Sequence, residues 1–287
     1  MSRKILLVLH PTRKEARDLA CEITPKLSAR NFSISTQAQE IPATTQIEAH
    51  QIATAAKEVE LILVLGGDGT ILRGAELAHG SKTPVLGINL GHVGFLAQIK
   101  KPSIDELIEA IDQKSYKIEE RMTLSYRVER AGKVFVEGWA LNEVAVERNT
   151  EAMIELFVQI DQRPLSRWGC DGVICATPTG STAYAFSAGG PVVWPDVEAL
   201  VLLPLAAHAL FSDPMVVSPQ SVIAIDVESE IGVISADGLR KVQLIEGDRI
   251  ILTAERTFIA LAHIDDVKFT DRLVAKFKLP VDGWRGK

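Results

Sequence analysis

A run of apolar residues that ends in a glycine turn constrains the fold of this chain more than any other feature. Residues Leu61 to Leu65 are all apolar, as in a strand that is buried on both faces of a parallel sheet. Glycines follow at positions 66, 67 and 69, and apolar residues recur at helical spacing from Thr70 onward, with Thr70 as the expected N-cap. The stretch therefore predicts a strand, a glycine turn and a helix in succession.

The composition of this turn is that of a phosphate-binding loop, apart from one carboxylate. Open parallel sheets bind ligands at the carboxyl ends of their strands, where glycines let backbone N–H groups approach phosphate oxygens and a helix N-terminus adds partial positive charge. Asp68 lies among these donors, where it would repel a bound anion. It suits a proton acceptor or a metal contact beside a phosphate, or else it only caps the helix or shapes the turn.

Length, charge and cysteine content exclude several classes of protein. The 287 residues suffice for a substantial core and for two domains. A net charge of −6 gives no basic surface for nucleic acid or for an anionic membrane, and no apolar run is long enough to span a bilayer. The three cysteines match neither a disulfide framework nor a zinc site and are interpreted as reduced thiols. We therefore expect a cytoplasmic protein that binds neither nucleic acid nor membrane.

Strands and helices alternate through residues 1–115, which predicts an α/β domain with an open parallel sheet and helices on both faces. Pro25 should kink the first helix or end it early. The predicted strands are 5–9, 32–35, 61–65 and 84–89, and the predicted helices are 14–30, 47–56, 103–111 and the one that starts at Thr70.

The pattern changes near residue 116. Short segments rich in Val and Ile, separated by turn residues, predict an antiparallel, β-rich domain over residues 116–268, interrupted by one helix from Ser181 towards Ser187. Residues 269–278 return to helical spacing. Because a lone helix must pack on another element, the segment 269–287 is expected to return to the first domain. The fold class is thus α/β plus all-β, with a C-terminal helix.

A second glycine-containing turn follows the apolar residues 172–176. Four hydroxyl side chains lie within six residues of it, and Tyr184 follows; they are Thr177, Thr179, Ser181 and Thr182. Such a turn could offer hydroxyls and backbone donors to ribose and phosphate, and an aromatic ring to a base. Considered by itself, the pattern favours a well-capped turn whose hydroxyls only satisfy their own backbone.

Polar residues interrupt apolar segments at two further places. Asn142 and Glu143 suit the edge of a purine or the hydroxyls of a ribose, or they mark a bulge or the solvated edge of a strand. Asn89 ends a predicted parallel strand and should face the ligand crevice. His92, in the glycine loop that follows, is interpreted as structural.

Taken together, these motifs resemble those of the NAD kinase family. In chain order they are Gly66-Gly-Asp-Gly-Thr70, Asn89-x-Gly-x-x-Gly-Phe-Leu96, Asn142-Glu143, Asp171-Gly-…-Thr-Pro-Thr-Gly-Ser-Thr-Ala-Tyr184 and Gly189-Gly-Pro191. The resemblance covers essentially the whole chain. It implies a phosphofructokinase- or Rossmann-like first domain and a β-rich, NAD-binding second domain. It also implies transfer of a phosphoryl group from ATP, or from polyphosphate, to the 2′-hydroxyl of the adenosine ribose of NAD, which gives NADP.

The resemblance implies a role for each matching residue. Asp68 would take the proton from the attacking hydroxyl. Phosphate oxygens would be bound by Gly67, Gly69 and Thr70, with added positive charge from Arg73. Asn142 and Glu143 would hold the adenylate half of NAD. The rest of the NAD site would be lined by Asn89, Asp171, Thr182, Ala183, Tyr184, Ala185, Phe186 and Ser187, partly from a neighbouring subunit, because members of the family are homo-oligomers such as dimers or tetramers.

The resemblance also implies a divalent cation, with Mg²⁺ neutralising the donor phosphates. The sequence contains no dedicated set of metal ligands, so the ion is expected to arrive with the nucleotide. One stretch departs from the family pattern. Where many members carry Pro-His-Ser, this chain has Ala206-Ala-His-Ala-Leu210, so His208 is kept without its flanking hydroxyl. The departure alters a ligand contact or marks a subfamily.

Three other functions fit parts of this pattern. Lipid kinases share such a glycine–aspartate loop, but Ile71-Leu-Arg-Gly-Ala75 stands where they carry Asn-Glu. Phosphofructokinases also share the loop, but they would need further basic residues, and the second half of this chain is β-rich. The third alternative is a sensor that binds NAD(H) or NADP(H) without turnover. An intact Asp68 between intact glycines argues against such a sensor.

Overall fold

The computed structural model describes residues 2–91, 94–97, 102–229 and 231–281. It divides into two compact units. The first unit comprises Met1–Glu120 and Ile259–Lys287, and the second comprises Arg121–Phe258. The domain boundaries expected from the sequence, after residues 115 and 268, stay predictions. No helix in the described part of the chain is long and apolar enough to cross a membrane.

The first unit opens with alternating strands and helices, as the sequence predicts. Its strands are β1 (Arg3–Leu9), β2 (Phe32–Thr36), β3 (Thr45–Gln46), β4 (Leu61–Leu65) and β5 (Val85–Ile88), and its helices in this region are α1 (Lys14–Ala29), α2 (Ile52–Glu58), α3 (Asp68–Ala78) and α4 (Ile104–Gln113).

The remaining elements are mostly strands. They are β6 (Lys117–Arg130), β7 (Lys133–Ala140), β8 (Glu143–Arg148), β9 (Ile154–Ile160), β10 (Arg163–Cys170), β11 (Gly172–Ala176), α5 (Tyr184–Ser187), β12 (Leu200–Leu205), β13 (Met215–Val217), β14 (Ile223–Val227), β15 (Ile231–Ala236), β16 (Arg240–Ile245), β17 (Arg249–His263) and α6 (Phe269–Phe277).

The sheet of the first unit is parallel, in the order β17-β5-β4-β1-β2-β3. From β1 the chain proceeds to β2 on one side and later returns to β4 on the other side. A crevice therefore lies between the carboxyl ends of β1 and β4, where open α/β sheets bind ligands. The N–H of His10 donates to the carbonyl of Leu65 at 2.9 Å and ties these two ends together.

Helix α1 continues through Pro25 to Ala29, so the expected early end is wrong, and the expected kink stays a prediction. Proline removes one backbone hydrogen bond, but both Ile23 and Leu27 are fully buried against the sheet. That burial favours continuation of the helix to Ala29. The helix expected at 47–56 is also shorter: a separate turn closes first, because the side chain of Gln51 accepts a hydrogen bond from the N–H of Glu48.

The second unit is built from antiparallel strands. One sheet has the order β13-β12-β11-β8-β15-β16; in addition β10, β9, β14 and β17 pair in that order, and β6 and β7 form a hairpin. One apolar cluster, which includes Val146, Trp168 and Ile225, packs between these layers. A smaller cluster, which includes Ile174 and Ala185, covers the other face of β11. Residues of β11 are therefore buried on both faces.

Helix α6 packs within the first unit, as expected. The rings of Phe269 and Phe277 lie with their centroids 5.8 and 5.9 Å from that of Phe95. The α/β plus β-rich fold class and the returning C-terminal helix are thereby confirmed.

All three cysteines are free thiols.

Candidate active site

Strand β4 leads into helix α3 with only Gly66 and Gly67 between them. Gly67 is the N-cap, and the N–H groups of Thr70 and Ile71 donate to its carbonyl at 2.8 and 3.1 Å. The expectation that Thr70 caps the helix is therefore wrong, because the helix is already hydrogen-bonded at Thr70. The first turn of α3 lies at the carboxyl end of a central parallel strand.

The glycines of this turn differ in what they touch. A Cβ atom on Gly66 would lie 2.4 Å from Oγ1 of Thr70, so the packing of the turn requires glycine there. A Cβ atom on Gly67 or Gly69 would meet no described atom within 4 Å. The first N–H groups of a helix have no partners within it and lie at its positive end. Gly67 and Gly69 therefore leave open space beside a site that favours an anion.

The carboxylate of Asp68 is held by a different loop. Its Oδ2 accepts a hydrogen bond from the N–H of Phe95 at 2.9 Å, and its Oδ1 accepts one from the N–H of Leu96 at 3.2 Å. It therefore does not act as the cap of α3. A carboxylate oxygen has more than one lone pair, so each oxygen keeps capacity for a ligand hydroxyl.

Asn89 follows β5 and is 6% exposed. Its Oδ1 accepts a hydrogen bond from the N–H of Gly91 at 3.1 Å, which shapes the start of the glycine loop. The structure therefore places Asn89 at the carboxyl edge of the sheet, as predicted. His92 lies outside the described residues.

A cavity of about 440 Å³ opens at the carboxyl ends of β1 and β2. Three of its side chains are basic, those of His10, Arg17 and Arg73, and one is acidic, that of Glu76. Arg73 is exposed, one turn beyond the start of α3. The remaining lining residues are Leu7, Val8, Leu9, Pro11, Thr36, Gln37, Ala38, Ile52 and Leu77.

In the second unit, Asn142 and Glu143 join β7 to β8 and are 9% and 7% exposed. The reading of this pair as a solvated strand edge is therefore wrong. Oε2 of Glu143 is buried without a hydrogen-bond partner among the described residues. Burial, followed by repulsion from Asp237, raises the pKa of Glu143 to about 7. An orphaned acceptor of this kind suits a ligand that brings an N–H or O–H group.

Asp237 organises this pair and was missed in the sequence. Its carboxylate accepts hydrogen bonds from the N–H groups of Leu141 at 2.9 Å and Asn142 at 2.7 Å. The N–H of Glu143 donates a longer hydrogen bond to the same carboxylate at 3.4 Å. Burial raises the pKa of Asp237, while the backbone donors and Arg240 oppose the shift. The only local signal is the pair Asp237-Gly238, which is typical of a hairpin turn and gives no reason to connect it to Asn142.

The hydroxyl-rich turn is mostly self-satisfied. Oγ1 of Thr177 donates to the carbonyl of Leu141 at 2.6 Å, Oγ of Ser181 donates to the carbonyl of Pro178 at 2.7 Å, and Oγ1 of Thr182 donates to that of Thr179 at 3.3 Å. For Ser181 and Thr182, whose hydroxyls donate to carbonyls three residues earlier, the favoured interpretation as a capped turn is confirmed. The bond from Thr177 also fastens the turn to the segment that holds Asn142.

The helix expected from Ser181 to Ser187 is a 3₁₀ turn, Gly180–Thr182, followed by the single-turn helix α5. A hydrogen bond from the backbone N–H of Tyr184 lowers the pKa of the Glu143 carboxyl and so opposes the effect of burial. Among the predicted NAD contacts in this segment, Ala185 is fully buried in the apolar cluster, whereas Phe186 is 39% exposed. The carbonyl of Ala185 already accepts a hydrogen bond from the N–H of Gly190 at 2.8 Å. Ala183 is half-buried.

A cavity of about 490 Å³ brings together Asp171, Tyr184 and Ser187. Nε of Arg148 lies 2.6 Å from Oδ1 of Asp171, and the hydroxyl of Tyr184 donates to Oε1 of Glu147 at 2.8 Å. Burial, followed by the hydrogen bond to Glu147, raises the pKa of Tyr184 to about 12. The phenol is therefore a neutral donor at physiological pH. The other lining residues are Thr150, Ala188 and Leu205.

Metal ligands are not grouped in the part of the chain that the structure describes. Within residues 2–91, 94–97, 102–229 and 231–281, no three His, Cys, Asp or Glu side chains form a cluster that could hold a metal ion. The residues present therefore do not form a resident metal site there.

Two family models cover most of the chain. The ATP-NAD kinase N-terminal domain matches residues 5–116, and the ATP-NAD kinase C-terminal domain matches residues 141–263. The chain is 46% identical to the NAD kinase of Thermobifida fusca, with 100% of this chain and 92% of that protein covered. It is 44% identical to the NAD kinase of Mycobacterium tuberculosis, with 99% of each covered.

Solved structures agree with these matches. The match to yeast NADH kinase complexed with NADH covers 100% of this chain and 90% of the yeast chain, with a TM-score of 0.89. At 23% sequence identity, this match shows a shared fold. An NAD kinase from Archaeoglobus fulgidus in complex with ATP covers 96% of this chain and 98% of its own, with a TM-score of 0.73 and 27% identity. On the two domain matches and the full-length relatives together, this chain belongs to the NAD kinase family.

Proposed function

We propose that this chain transfers the terminal phosphoryl group of ATP to the 2′-hydroxyl of the adenosine ribose of NAD, which gives NADP and ADP. Its similarity to named NAD kinases supports this function. One structural observation carries it: the carboxylate of Asp68 stands at the N-terminus of α3, fixed by the N–H groups of Phe95 and Leu96, beside the open space at Gly67 and Gly69.

Asp68 is the general base in this proposal. The 2′-hydroxyl donates a hydrogen bond to the carboxylate, and the proton passes to Asp68 as the bond from the ribose oxygen to phosphorus forms. The bond from phosphorus to the bridging oxygen breaks, and ADP leaves with the electron pair. Such reactions depend mostly on positioning and on stabilisation of charge, so a carboxylate held by two backbone donors is well suited.

The donor phosphates bind at the first turn of α3. Gly67 and Gly69 let phosphate oxygens approach the backbone, and the helix dipole favours their charge. Thr70 is 4% exposed, and its N–H donates a hydrogen bond to the carbonyl of Gly67. We therefore propose that Thr70 supports the turn. Its contact with phosphate stays a prediction. Arg73 adds positive charge from the cavity that it shares with His10 and Arg17.

The second unit contributes the NAD contacts. Glu143 supplies an acceptor for an amino group of the adenine or a hydroxyl of the ribose, because its Oε2 is buried without a partner among the described residues. The other proposed NAD contacts of this unit are Asn142, Asp171 and the segment 182–187, and Asn89 is a proposed contact from the first unit. Some of these contacts come from a second copy of the chain in a dimer or tetramer, as the family resemblance implies.

A divalent cation enters with ATP in this proposal, because no resident cluster of ligands is formed by the described residues. Mg²⁺ prefers substrate phosphates and water to an all-protein site. We assign no step to it beyond neutralising the charge of the donor. The protein is proposed to act in the cytoplasm.

The function is tested by incubating the full chain with NAD, ATP and Mg²⁺ and identifying the product. We expect a product phosphorylated at the 2′ position of the adenosine ribose, formed together with an equal amount of ADP. Parallel reactions with polyphosphate and with NADH define the donor and the acceptor. Binding of NAD without a phosphorylated product from any donor would contradict the kinase assignment and favour a dinucleotide sensor.

A further inference from the structure

A buried polar cluster in the first unit connects helix α6 to the loop that holds Asp68. Arg272, on α6, is 3% exposed. Its Nη1 donates a hydrogen bond to the carbonyl of Ala97, and its Nη2 lies 3.2 Å from Nδ1 of His263. These partners lie far apart in the sequence, since 175 residues separate Ala97 from Arg272.

Two charged side chains hold the same four residues, Gly94 to Ala97. Arg272 donates a hydrogen bond to the carbonyl of Ala97, while the carboxylate of Asp68 accepts hydrogen bonds from the N–H groups of Phe95 and Leu96. Movement of the Ala97 carbonyl would therefore move the neighbouring Leu96 N–H. The segment is buried, with Phe95, Leu96 and Ala97 at 6%, 4% and 0% exposure.

Helix α6 also contacts this segment through aromatic side chains. The ring of Phe95 packs between those of Phe269 and Phe277, which stand on either side of Arg272 in the helix. Aromatic packing excludes water, and a hydrogen bond to a charged donor is stronger where water is absent. The guanidinium and the rings together fix both the position and the orientation of the segment.

The surroundings of Arg272 fix its own geometry. Arginine has only donors, so Nδ1 of His263 must act as an acceptor, and the ring proton belongs on Nε2. Nε2 of His263 lies 3.2 Å from Oε2 of Glu119, and Oδ1 of Asp265 lies 4.0 Å from Nη2 of Arg272. A buried guanidinium is costly unless it is paired in this way, and an apolar side chain could fill the same volume. Packing alone therefore does not account for arginine at this position.

We propose that Arg272 is a positioning residue for phosphoryl transfer. By holding the carbonyl of Ala97, it keeps the N–H groups of Phe95 and Leu96 in the places from which they orient the Asp68 carboxylate toward the ribose hydroxyl. The inference rests on the proposed role of Asp68 as the base. Arg272 touches neither substrate, so its loss should lower kcat and leave substrate binding almost unchanged.

The test compares Arg272→Met, which fills the volume without a donor, with Arg272→Lys, which keeps the charge. Lys276→Met is the matched control, an exposed cation one turn further along α6. We expect Arg272→Met to lower kcat about 100-fold, with the KM values for NAD and ATP within about 3-fold of wild type. Arg272→Lys should recover part of the loss, because an ammonium can keep one of the contacts but not the guanidinium geometry. Lys276→Met should match wild type.

A double-mutant cycle separates positioning from general destabilisation. If Arg272 acts through Asp68, then Arg272→Met should change kcat less than about 3-fold in an Asp68→Asn background. Full additivity of the two losses, or an unchanged kcat in folded Arg272→Met, would overturn the inference. Should Arg272→Met fail to fold, Arg272→Lys carries the same cycle with a smaller loss. An active Asp68→Asn single variant would instead overturn the proposed base.

Discussion

Gly94 lies so close to Asp68 that a Cβ atom on Gly94 would stand 2.1 Å from Oδ1 of the carboxylate. A side chain there would push the carboxylate away from the N–H groups of Phe95 and Leu96. We expect Gly94→Ala to lower kcat by about 100-fold, because a displacement of about 1 Å at a catalytic group has an effect of this size. Steady-state kinetics with NAD and ATP give the measurement.

Gly169→Ala is the matched control for Gly94→Ala. A Cβ atom on Gly169 would have as its nearest neighbour Cε of Met153 at 3.8 Å, which is an ordinary contact. Its kcat should equal that of wild type. Wild-type kcat in a folded Gly94→Ala protein would show that the close contact with Asp68 has no part in turnover.

Gly66 and Gly69 should respond in opposite ways to the same substitution. Gly66→Ala places a Cβ atom 2.4 Å from Oγ1 of Thr70, so we expect it to lower the free energy of unfolding by about 1–3 kcal/mol. Gly69→Ala meets no described atom within 4 Å and lies in a helix, so stability should be kept or raised by about 0.5–1 kcal/mol. Its methyl group would instead obstruct a bound phosphate and raise the KM for ATP.

Urea unfolding and steady-state kinetics on both glycine variants make this comparison. A Gly69→Ala protein with unchanged kinetics would contradict phosphate binding at the first turn of α3. A Gly66→Ala protein as stable as wild type would contradict the packing role of Gly66.

Substitution of Arg73 should weaken the binding of ATP more than the binding of NAD. The side chain is exposed in the cavity at the ends of β1 and β2, where it can neutralise phosphate charge. We expect Arg73→Ala to raise the KM for ATP about 10-fold, the loss of one charge-assisted contact, with a smaller change for NAD. Lys57→Ala, an exposed cation on α2, is the control. Equal changes in both KM values would contradict a role on the donor side.

Glu143 should make the stability of the protein depend on pH. Its pKa is raised from 4.5 to about 7 in the folded protein, so the folded chain keeps a proton that the unfolded chain releases. Stability from this group is therefore full below about pH 4.5 and falls as pH rises to about 7, by up to about 3 kcal/mol.

Replacement by glutamine removes this dependence, because the amide is never ionised. Glu143→Gln should equal wild type in free energy of unfolding at about pH 4 and exceed it by about 1–3 kcal/mol at about pH 8. Chemical denaturation at the two pH values is the measurement. A stability difference that is the same at both would show that burial does not perturb this carboxyl.

The elements that were predictable from sequence are those whose signals are local. The apolar run from Leu61 to Leu65 and the glycines after it determine a buried strand and a helix start within about ten residues, and the structure has both. The bond from Oγ of Ser181 to the carbonyl of Pro178 and the bond from the N–H of Gly180 to Oγ1 of Thr177 are likewise local preferences of hydroxyl-rich turns. The first residue of α3 was placed too late because Gly67, which has no side chain to signal a cap, is the N-cap.

The contacts that could not be predicted join residues distant in the sequence. Asp237 holds the N–H of Leu141 across 96 residues, and its Asp-Gly context is typical of an ordinary turn. Arg272 appears in the sequence as one cation on an amphipathic helix, and its burial becomes visible only when α6 packs beside Phe95. Pairing across such distances depends on the fold, since no periodicity or spacing records it.

The central claim, that Asp68 is the base for phosphoryl transfer to NAD, is tested most directly by Asp68→Asn. The amide keeps the size of the side chain but cannot accept the proton. Asp18→Asn, an exposed aspartate on α1, is the matched control. We expect NADP formation from NAD, ATP and Mg²⁺ to fall by about 10²–10⁴-fold in Asp68→Asn, with NAD binding retained. Turnover within about 10-fold of wild type in that variant would contradict the claim.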